Sequence, residues 1–292
     1  MIIAPGPASR KLGLKIAEVL GIKAIPIEFK YFPDGESYIR YTEDVSGEDV
    51  VIVQNTCPPQ NVNLIQLLLL TDAAKDLNAN SVTAVVPYLT YARQNRRSRP
   101  GEAISIKAVI KLIEKAGADR FITVNIHHTS ILKWFNIPVQ NLSAIPLLIN
   151  FLKDYGLTGA FSLAPDDGAL EANKEADKVL GGGYGCLYKK RDAITGEIKV
   201  KRKVFDVKGR DCVVLDDIVS SGETMEVSVK ILKKQGARRV YAVCVHPILV
   251  EGARERILNS GAEEIIGTDS VPSPVSAVSI APIIAEALKR KA

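Results

Sequence analysis

Residues 212–224 read Cys-Val-Val-Leu-Asp-Asp-Ile-Val-Ser-Ser-Gly-Glu-Thr, and this stretch decides the predicted fold. Its apolar residues predict a buried strand that ends in two adjacent acids. A helix is expected to begin just after the loop of serines and glycine. Because an open α/β sheet binds its ligands outside the carboxyl ends of its strands, this loop is a candidate binding site.

The residue types in this loop suit a sugar phosphate. Backbone N–H groups at the start of a helix, together with the positive end of the helix dipole, favour a phosphate group. The hydroxyls of Ser220, Ser221 and Thr224 can add donors. The carboxylates of Asp216 and Asp217 can accept hydrogen bonds from vicinal hydroxyls. A capped turn is the alternative interpretation, because acids and hydroxyl residues also favour helix starts.

On both sides of this stretch, apolar runs alternate with amphipathic segments. The candidate strands are 50–53, 82–87, 121–126, 160–164, 184–188, 212–215, 240–245 and 264–266, and the candidate helices are 63–77, 105–116, 168–180 and 222–235. Strands alternating with helices of this length predict parallel sheets built from βαβ units. A faint similarity between the two halves of the chain, and a helix-start signal before Pro146, predict domains at residues 1–143 and 144–292.

Composition excludes several classes of protein. The chain has 292 residues, 47% hydrophobic and 24% charged, which is ordinary for a globular protein and excludes wholesale disorder. No apolar run is long enough for a membrane helix, and Pro5 and Pro7 interrupt the apolar start that a secretory signal requires. The four cysteines are far apart in sequence and form no Cys-x-x-Cys, so reduced thiols and a cytoplasmic location are expected.

The positive charge is concentrated in one segment. The net charge of the chain is +5, and residues 189–203 account for it with seven Lys or Arg and two Asp or Glu. A general nucleic-acid binder carries a broader basic face, so no nucleic-acid partner is expected. An anion-handling loop and a solvated β-hairpin with Thr195 and Gly196 at its tip both fit this segment.

Residues 212–224 closely resemble the ribose 5-phosphate and PRPP loop of the type I phosphoribosyltransferase superfamily. Along nearly its full length, the chain also resembles the ribose-phosphate diphosphokinase (PRPP synthase) family. The resemblance implies an α/β fold of two similar phosphoribosyltransferase-like domains, each a mainly parallel sheet flanked by helices. It also implies that ribose 5-phosphate is bound by Asp216, Asp217, Ser220, Ser221, Gly222 and Thr224.

Residues 32–36 read Phe-Pro-Asp-Gly-Glu, which by composition is only a turn. The family resemblance implies that this turn binds the adenine of ATP in a neighbouring subunit's site. Phe32 would stack on the base, and Asp34 and Glu36 would read its edge. The resemblance therefore implies a homo-oligomer, at least a dimer.

Residues 88–97 carry three arginines after a candidate strand, and arginine can grip phosphate bidentately. A surface loop is the alternative. The resemblance implies that Arg93, Gln94 and Arg96 contact ATP. Asn95 stands where the family usually has aspartate, and no role is assigned to it.

Two further strand ends carry residues that the resemblance assigns to Mg²⁺. His127 corresponds to a magnesium ligand beside the triphosphate, while Asn125 and His128 depart from the family pattern. Asp166 corresponds to an aspartate near a second magnesium and the ribose. Mg²⁺ prefers few carboxylates plus substrate oxygens, so a sparse ligand set is expected.

Lys189 and Arg191 match the Lys-x-Arg with which the family begins a flexible catalytic loop. The resemblance thus implies Mg²⁺-dependent transfer of the β,γ-diphosphoryl group of ATP to ribose 5-phosphate, giving PRPP and AMP for nucleotide biosynthesis. Two alternatives remain open. One is a phosphoribosyltransferase that consumes PRPP, and the other is a non-catalytic regulator, including an RNA-binding one, on the same fold.

Overall fold

The computed structural model describes residues 1–187, 189–191, 198–200 and 204–290. The chain divides into two compact units. The first comprises Met1–Ser143, Ser270–Pro272 and Ser279–Ala292, and the second comprises Ala144–Asp269 and Ser273–Val278. Each unit is built around its own parallel sheet, as the sequence predicts.

The strands and helices are numbered separately in chain order. The strands are β1 (Ile2–Pro5), β2 (Ile27–Tyr31), β3 (Ser37–Tyr41), β4 (Asp49–Val53), β5 (Ser81–Val86), β6 (Arg120–Val124), β7 (Val139–Leu142), β8 (Phe161–Ala164), β9 (Tyr184–Cys186), β10 (Lys189–Arg191), β11 (Ile198–Val200), β12 (Cys212–Val219), β13 (Val240–Pro247), β14 (Glu264–Thr268) and β15 (Ser276–Val278). The helices are α1 (Arg10–Leu20), α2 (Gln60–Asp76), α3 (Ser105–Lys115), α4 (Ile145–Asp154), α5 (Leu170–Leu180), α6 (Glu223–Lys234), α7 (Ala253–Asn259) and α8 (Ala281–Lys289).

The first unit holds a five-stranded parallel sheet in the order β1-β4-β5-β6-β7. Its central strands are short apolar runs whose side chains are almost fully buried, for example Val51, Ile52 and Val53. Such continuous apolar runs are typical of parallel strands covered by helices on both faces. A separate antiparallel hairpin is formed by β2 and β3.

The second unit holds a six-stranded parallel sheet in the order β15-β14-β13-β12-β8-β9. The strand β12 lies between β13 and β8, and all three run parallel. The interior strands again supply the core, with Val213, Val214 and Val243 fully buried. The two-stranded antiparallel ladder of β10 and β11 forms a separate sheet.

The predicted strands and helices are confirmed, with shifted ends. The largest shift is in β12, which was expected to end at residue 215 but continues through Val219. The reason is that β13 keeps pairing with it, placing Asp216 opposite Cys244 and Ile218 opposite His246. The predicted strand 121–126 instead ends at Val124, because Asn125 takes a left-handed conformation with φ +40°.

The C-terminal segment differs from the predicted second domain, which was drawn through residue 292. Helix α8 belongs to the first unit, where it packs against α1. Arg120 on β6 holds it there, because its Nη2 donates to the carbonyl oxygen of Ala287 at 2.9 Å. Among the described residues, no helix is long and apolar enough to span a bilayer.

Candidate active site

The acids of the second unit lie at the ends of two adjacent parallel strands. Leu163 on β8 pairs with Val214 on β12, so the residues that follow at the carboxyl ends of these strands share one edge of the sheet. Asp166 comes two residues after β8, while Asp216 and Asp217 lie on the last half of β12. The structure therefore gathers three of the predicted site residues at one place.

The carboxylates in this group influence one another. The Oδ1 atom of Asp166 accepts from the backbone N–H of Gly168 at 3.0 Å and so caps the turn Asp167–Ala169 that leads into α5. Burial raises the pKa of the Asp216 carboxyl well above its usual range, and the nearby carboxylates of Asp217 and Asp166 raise it further. The site thus concentrates negative charge and would gain from a bound cation or a hydroxyl-bearing ligand.

The loop after β12 opens directly into α6. Gly222 is the residue before the helix and has φ +80°, a conformation that glycine adopts readily. The first backbone N–H groups of a helix have no partner within the helix. In the described part of the chain, the hydroxyls of Ser220, Ser221 and Thr224 make no hydrogen bond. The loop therefore presents backbone and side-chain donors together, as a phosphate requires.

A buried polar residue, Asn173 on α5, supports this edge and was missed by the sequence analysis. Its Oδ1 atom accepts from the Ser162 hydroxyl at 2.6 Å, and its Nδ2 donates to the Ala169 carbonyl at 2.8 Å. The available signal was a polar residue on the buried face that also carries Ala176 and Leu180. A buried amide that is fully hydrogen-bonded fixes the elements that it joins.

In the first unit, the arginine segment follows β5 and forms an organised loop. Gln94 donates through Nε2 to the carbonyls of Arg96 at 3.2 Å and Ala103 at 3.3 Å. Its amide nitrogen is therefore engaged in hydrogen bonds within the loop. Glu102 accepts from the backbone N–H groups of Ser98 and Arg99, and these bonds lower the pKa of its carboxyl.

Arg93 and Arg96 are exposed on this loop. Among the described residues, no carboxylate pairs with either of them. Their guanidinium groups are therefore available to an anionic ligand.

His127 follows the neighbouring strand β6. Val86 on β5 pairs with Thr123 on β6, so the arginine loop and His127 leave the same edge of the sheet. The His127 and His128 rings are exposed and their centroids lie 4.5 Å apart. The left-handed turn at Asn125 redirects the chain between strand and histidines.

The hairpin of β2 and β3 presents residues 32–36 at its tip. The backbone N–H of Phe32 donates to the carbonyl of Glu36 at 2.8 Å, and Gly35 has φ +94°. The Phe32 ring is 43% exposed and meets Tyr38 edge-on, with ring centroids 5.9 Å apart. Asp34 and Glu36 are exposed beside it, so the tip offers an aromatic surface flanked by carboxylates.

In the described part of the basic segment, β10 and β11 form a two-stranded antiparallel ladder. The backbones of Lys189 and Arg191 pair antiparallel with those of Val200 and Ile198. The side chains of Lys189 and Arg191, and the predicted tip at Thr195 and Gly196, lie outside the described residues.

The residues present fit a magnesium ion that arrives with its substrate. In the described part of the chain, no three His, Cys, Asp or Glu side chains are grouped so as to hold a metal ion. Mg²⁺ usually keeps several waters and is held by one or two carboxylates plus substrate phosphates. The predicted ligands are one carboxylate, Asp166, and one imidazole, His127, which is a sparse set of this kind. A nearby cation would also relieve the repulsion of Asp216 by the carboxylates of Asp217 and Asp166.

The fold and the loop after β12 define an enzyme of the phosphoribosyltransferase-like class. The model for the phosphoribosyl transferase domain matches residues 147–268. The model for the N-terminal domain of ribose phosphate pyrophosphokinase matches residues 1–117.

Full-length relatives narrow the class. A ribose-phosphate pyrophosphokinase of Methanothermobacter thermautotrophicus is 44% identical, covering 97% of this chain and 98% of the relative. The same-named protein of Sulfolobus acidocaldarius is 39% identical over the full length of both chains. The crystal structure of phosphoribosylpyrophosphate synthetase from Mycobacterium smegmatis superposes with TM-score 0.87 at 30% identity, covering 99% of this chain and 97% of that one. The chain belongs to the ribose-phosphate pyrophosphokinase family of diphosphotransferases.

Proposed function

We propose that this enzyme transfers the β,γ-diphosphoryl group of ATP to the C1 hydroxyl of ribose 5-phosphate. The C1 oxygen forms a bond to the β-phosphorus, and the bond between that phosphorus and the oxygen bridging to the α-phosphorus breaks. The products are PRPP and AMP, and the hydroxyl proton is released to solvent. In-line displacements of this kind depend on positioning and on stabilisation of charge more than on covalent work by the protein.

The observation that carries the proposal is the arrangement at the end of β12. A pair of carboxylates, Asp216 and Asp217, is followed within a few residues by a loop rich in donors at the start of α6. The carboxylates hold the ribose hydroxyls, and the loop holds the 5-phosphate through Ser220, Ser221, Gly222 and Thr224. A pyranose without a phosphate, or a phosphate without a sugar, would use only half of these groups.

The first unit supplies the groups for ATP. Arg93 and Arg96 carry exposed guanidinium groups for the phosphates, and Gln94 holds the loop that bears them. The Phe32 ring stacks on the adenine, while Asp34 and Glu36 read its edge. We infer that this hairpin tip acts in a neighbouring subunit's site, so the active form is at least a homodimer.

Charge that develops on the transferred group is neutralised by cations. Lys189 and Arg191 take this role by their match to the family's catalytic loop. Magnesium ions held by His127 in the first unit and by Asp166 in the second unit would withdraw negative charge from the phosphate oxygens. We also propose a cytoplasmic location, which the four widely spaced cysteines support.

Phosphorus NMR tests the reaction directly. Purified enzyme is incubated with ATP, ribose 5-phosphate and MgCl₂, and the spectrum is followed over time. We expect AMP and the diphosphate signals of PRPP to appear together. The same mixture without ribose 5-phosphate is the control for simple ATP hydrolysis.

The alternatives predict different spectra. If no AMP forms, the enzyme is next given PRPP and a mixture of nucleobases. Release of pyrophosphate in that mixture would identify a phosphoribosyltransferase and overturn the proposal. Inactivity in both mixtures, with tight and salt-dependent RNA binding in a filter assay, would identify a regulator instead.

A further inference from the structure

Three consecutive carbonyl groups of the loop after β12 accept hydrogen bonds from one segment, residues 249–256. The carbonyl of Val219 accepts from the N–H of Leu249 at 3.1 Å, and the carbonyl of Ser220 accepts from the N–H of Val250 at 3.2 Å. The carbonyl of Ser221 accepts from Nη1 of Arg256. Each carbonyl is thereby turned toward this supporting segment.

The direction of the carbonyls determines the direction of the amides. A trans peptide is planar, and its C=O and the N–H of the following residue point to opposite sides. Fixing the carbonyls of Val219, Ser220 and Ser221 therefore directs the N–H groups of Ser220, Ser221 and Gly222 away from the supporting segment. These N–H groups belong to the loop proposed to hold the 5-phosphate.

The supporting segment is itself in an unusual conformation. Leu249 has φ +48° and Glu251 has φ +55°, although neither is glycine. Left-handed conformations are uncommon in such residues and persist where the surrounding structure imposes them, often at functional sites. Both residues lie between the strand β13 and the helix α7, beside the loop.

Arg256 connects the parts of this support. Besides the Ser221 carbonyl, its guanidinium donates through Nη2 to the carbonyl of Glu251 at 3.4 Å. Its Nε lies 3.9 Å from the carboxylate of Glu226 in the first turn of α6. The Arg256 side chain is 33% exposed, so most of it is enclosed by these contacts. The Arg256 side chain thus joins the left-handed turn at residues 249–251, the loop after β12 and the first turn of α6.

We propose that Arg256 is a positioning residue for the 5-phosphate of the sugar substrate. It holds the Ser221 carbonyl away from the ligand, which keeps the Gly222 N–H aimed at the phosphate. It also places a positive charge behind the loop, where the charge favours an anion without touching it. This role rests on the proposed function, because it assumes that residues 220–224 bind the 5-phosphate.

The test compares Arg256→Ala and Arg256→Lys with Arg254→Ala. Arg254 lies on the same helix, and its side chain is 51% exposed. Its guanidinium lies 3.7 Å from the carboxylate of Glu255, which is a weak surface ion pair, so Arg254 is a matched control. Ribose 5-phosphate is titrated calorimetrically into each protein with Mg²⁺ and α,β-methylene-ATP present. The KM values for ribose 5-phosphate and ATP, kcat and the melting temperature are measured on the same preparations.

We expect Arg256→Ala to weaken ribose 5-phosphate binding and raise its KM by about tenfold, the effect of losing one charged hydrogen bond. The KM for ATP should change by less than about twofold, and added guanidinium ion should restore part of the loss. Arg256→Lys keeps the positive charge but lacks the planar guanidinium that donates to the carbonyls of Ser221 and Glu251. Its affinity for ribose 5-phosphate should therefore lie between those of the wild type and Arg256→Ala. Arg254→Ala should behave as the wild type.

Other results would exclude either the proposed function or the positioning role of Arg256. If the wild type itself neither binds ribose 5-phosphate nor forms PRPP, the proposed function fails. If the wild type binds it and Arg256→Ala binds it equally well, the positioning role is wrong. Parallel losses for both substrates together with a lower melting temperature would make Arg256 merely structural. If Arg256→Ala does not fold, the split between the two KM values is read on Arg256→Lys.

Discussion

The Nδ2 atom of Asn173 lies 2.9 Å from the carbonyl oxygen of Leu215, to which it donates a hydrogen bond. Leu215 is the residue before Asp216, so α5 holds β12 at the point where its acids begin. The same side chain accepts from Ser162 on β8. Asn173 therefore ties together the two strands whose ends carry Asp166 and Asp216.

Replacing Asn173 with alanine should leave the buried Ser162 hydroxyl and the Leu215 carbonyl without partners. We expect the free energy of unfolding to fall by about 1–3 kcal/mol, the usual cost of such unsatisfied groups. Urea unfolding measures the change. Glu171→Ala is the control, because that carboxylate is 83% exposed and only pairs with Lys174 at the surface. An equal loss in both variants would contradict the role of Asn173.

Gly222→Ala should impair sugar-phosphate binding as well as stability. An added Cβ would come within 3.1 Å of the Cβ of Ala253 and of Cδ1 of Ile257, at a position with φ +80°. Gly209→Ala is the matched control, since Gly209 has φ +73° with nothing within 4 Å of an added Cβ. Both variants should lose about 1–2 kcal/mol from the left-handed conformation. Only Gly222→Ala should raise the KM for ribose 5-phosphate, and a similar rise in Gly209→Ala would refute the loop assignment.

Asp216→Asn should lower the activity and raise the stability of the ligand-free protein. Burial and the charges of Asp217 and Asp166 raise the pKa of Asp216 in the folded protein, so its ionisation opposes folding. Without ligands, the variant should melt at a higher temperature than the wild type near neutral pH. This advantage should shrink as the pH falls and disappear below about pH 4, where the carboxyl is protonated in both states. Activity should drop at every pH. Calorimetric scans measure the melting temperatures, and a variant that melts at a lower temperature than the wild type near neutral pH would show that the Asp216 carboxylate is stabilising.

Asp211 is expected to show the reverse pH dependence. Its carboxylate is 9% exposed and accepts from Arg238 and Arg239 at 2.6 and 2.7 Å. These bonds hold the pKa of Asp211 well below its usual range, so its contribution is present above about pH 4 and is lost at lower pH. Asp211→Asn should cost about 1–3 kcal/mol near neutral pH.

The difference between the Asp211→Asn variant and the wild type should narrow as acid is added. Urea midpoints measured across that range test this expectation. Asp206→Asn, at an exposed position in the same unit, should change little at any pH. A constant difference between wild type and Asp211→Asn would show that the ion pair is not the cause.

Lys189→Ala should reduce kcat far more than it changes substrate binding. Loss of one group that stabilises transition-state charge typically costs about 10²–10³ in rate. Phosphorus NMR time courses compare this variant with the wild type and with Lys178→Ala, which removes an exposed lysine of α5 in the same unit. Nearly full kcat in Lys189→Ala would remove it from the proposed mechanism.

The part of the candidate site that was predicted from the residues themselves, the sugar-phosphate loop, is local in sequence. Asp216, Asp217 and residues 220–224 lie within one strand-loop-helix segment, so their spacing alone indicates a sugar-phosphate site. The supporting residues could not be predicted this way. Asn173 and Arg256 act on Leu215 and Ser221 through contacts between segments that are far apart in the chain. For Asn173 the only local signal is its place on the apolar face of α5, which does not show that it contacts Leu215, and Arg256 has no local pattern that distinguishes it from other helical arginines.

The sequence by itself determined the two parallel sheets, because the alternation of apolar runs and amphipathic helices is a local property of the chain. Only the tertiary structure decided that β12 extends beyond its acids, since that depends on continued pairing with β13. Only the tertiary structure placed α8 in the first unit, where α1 and Arg120 hold it. These features arise from long-range packing and hydrogen bonding, whose energy depends on which surfaces meet after the local elements have formed.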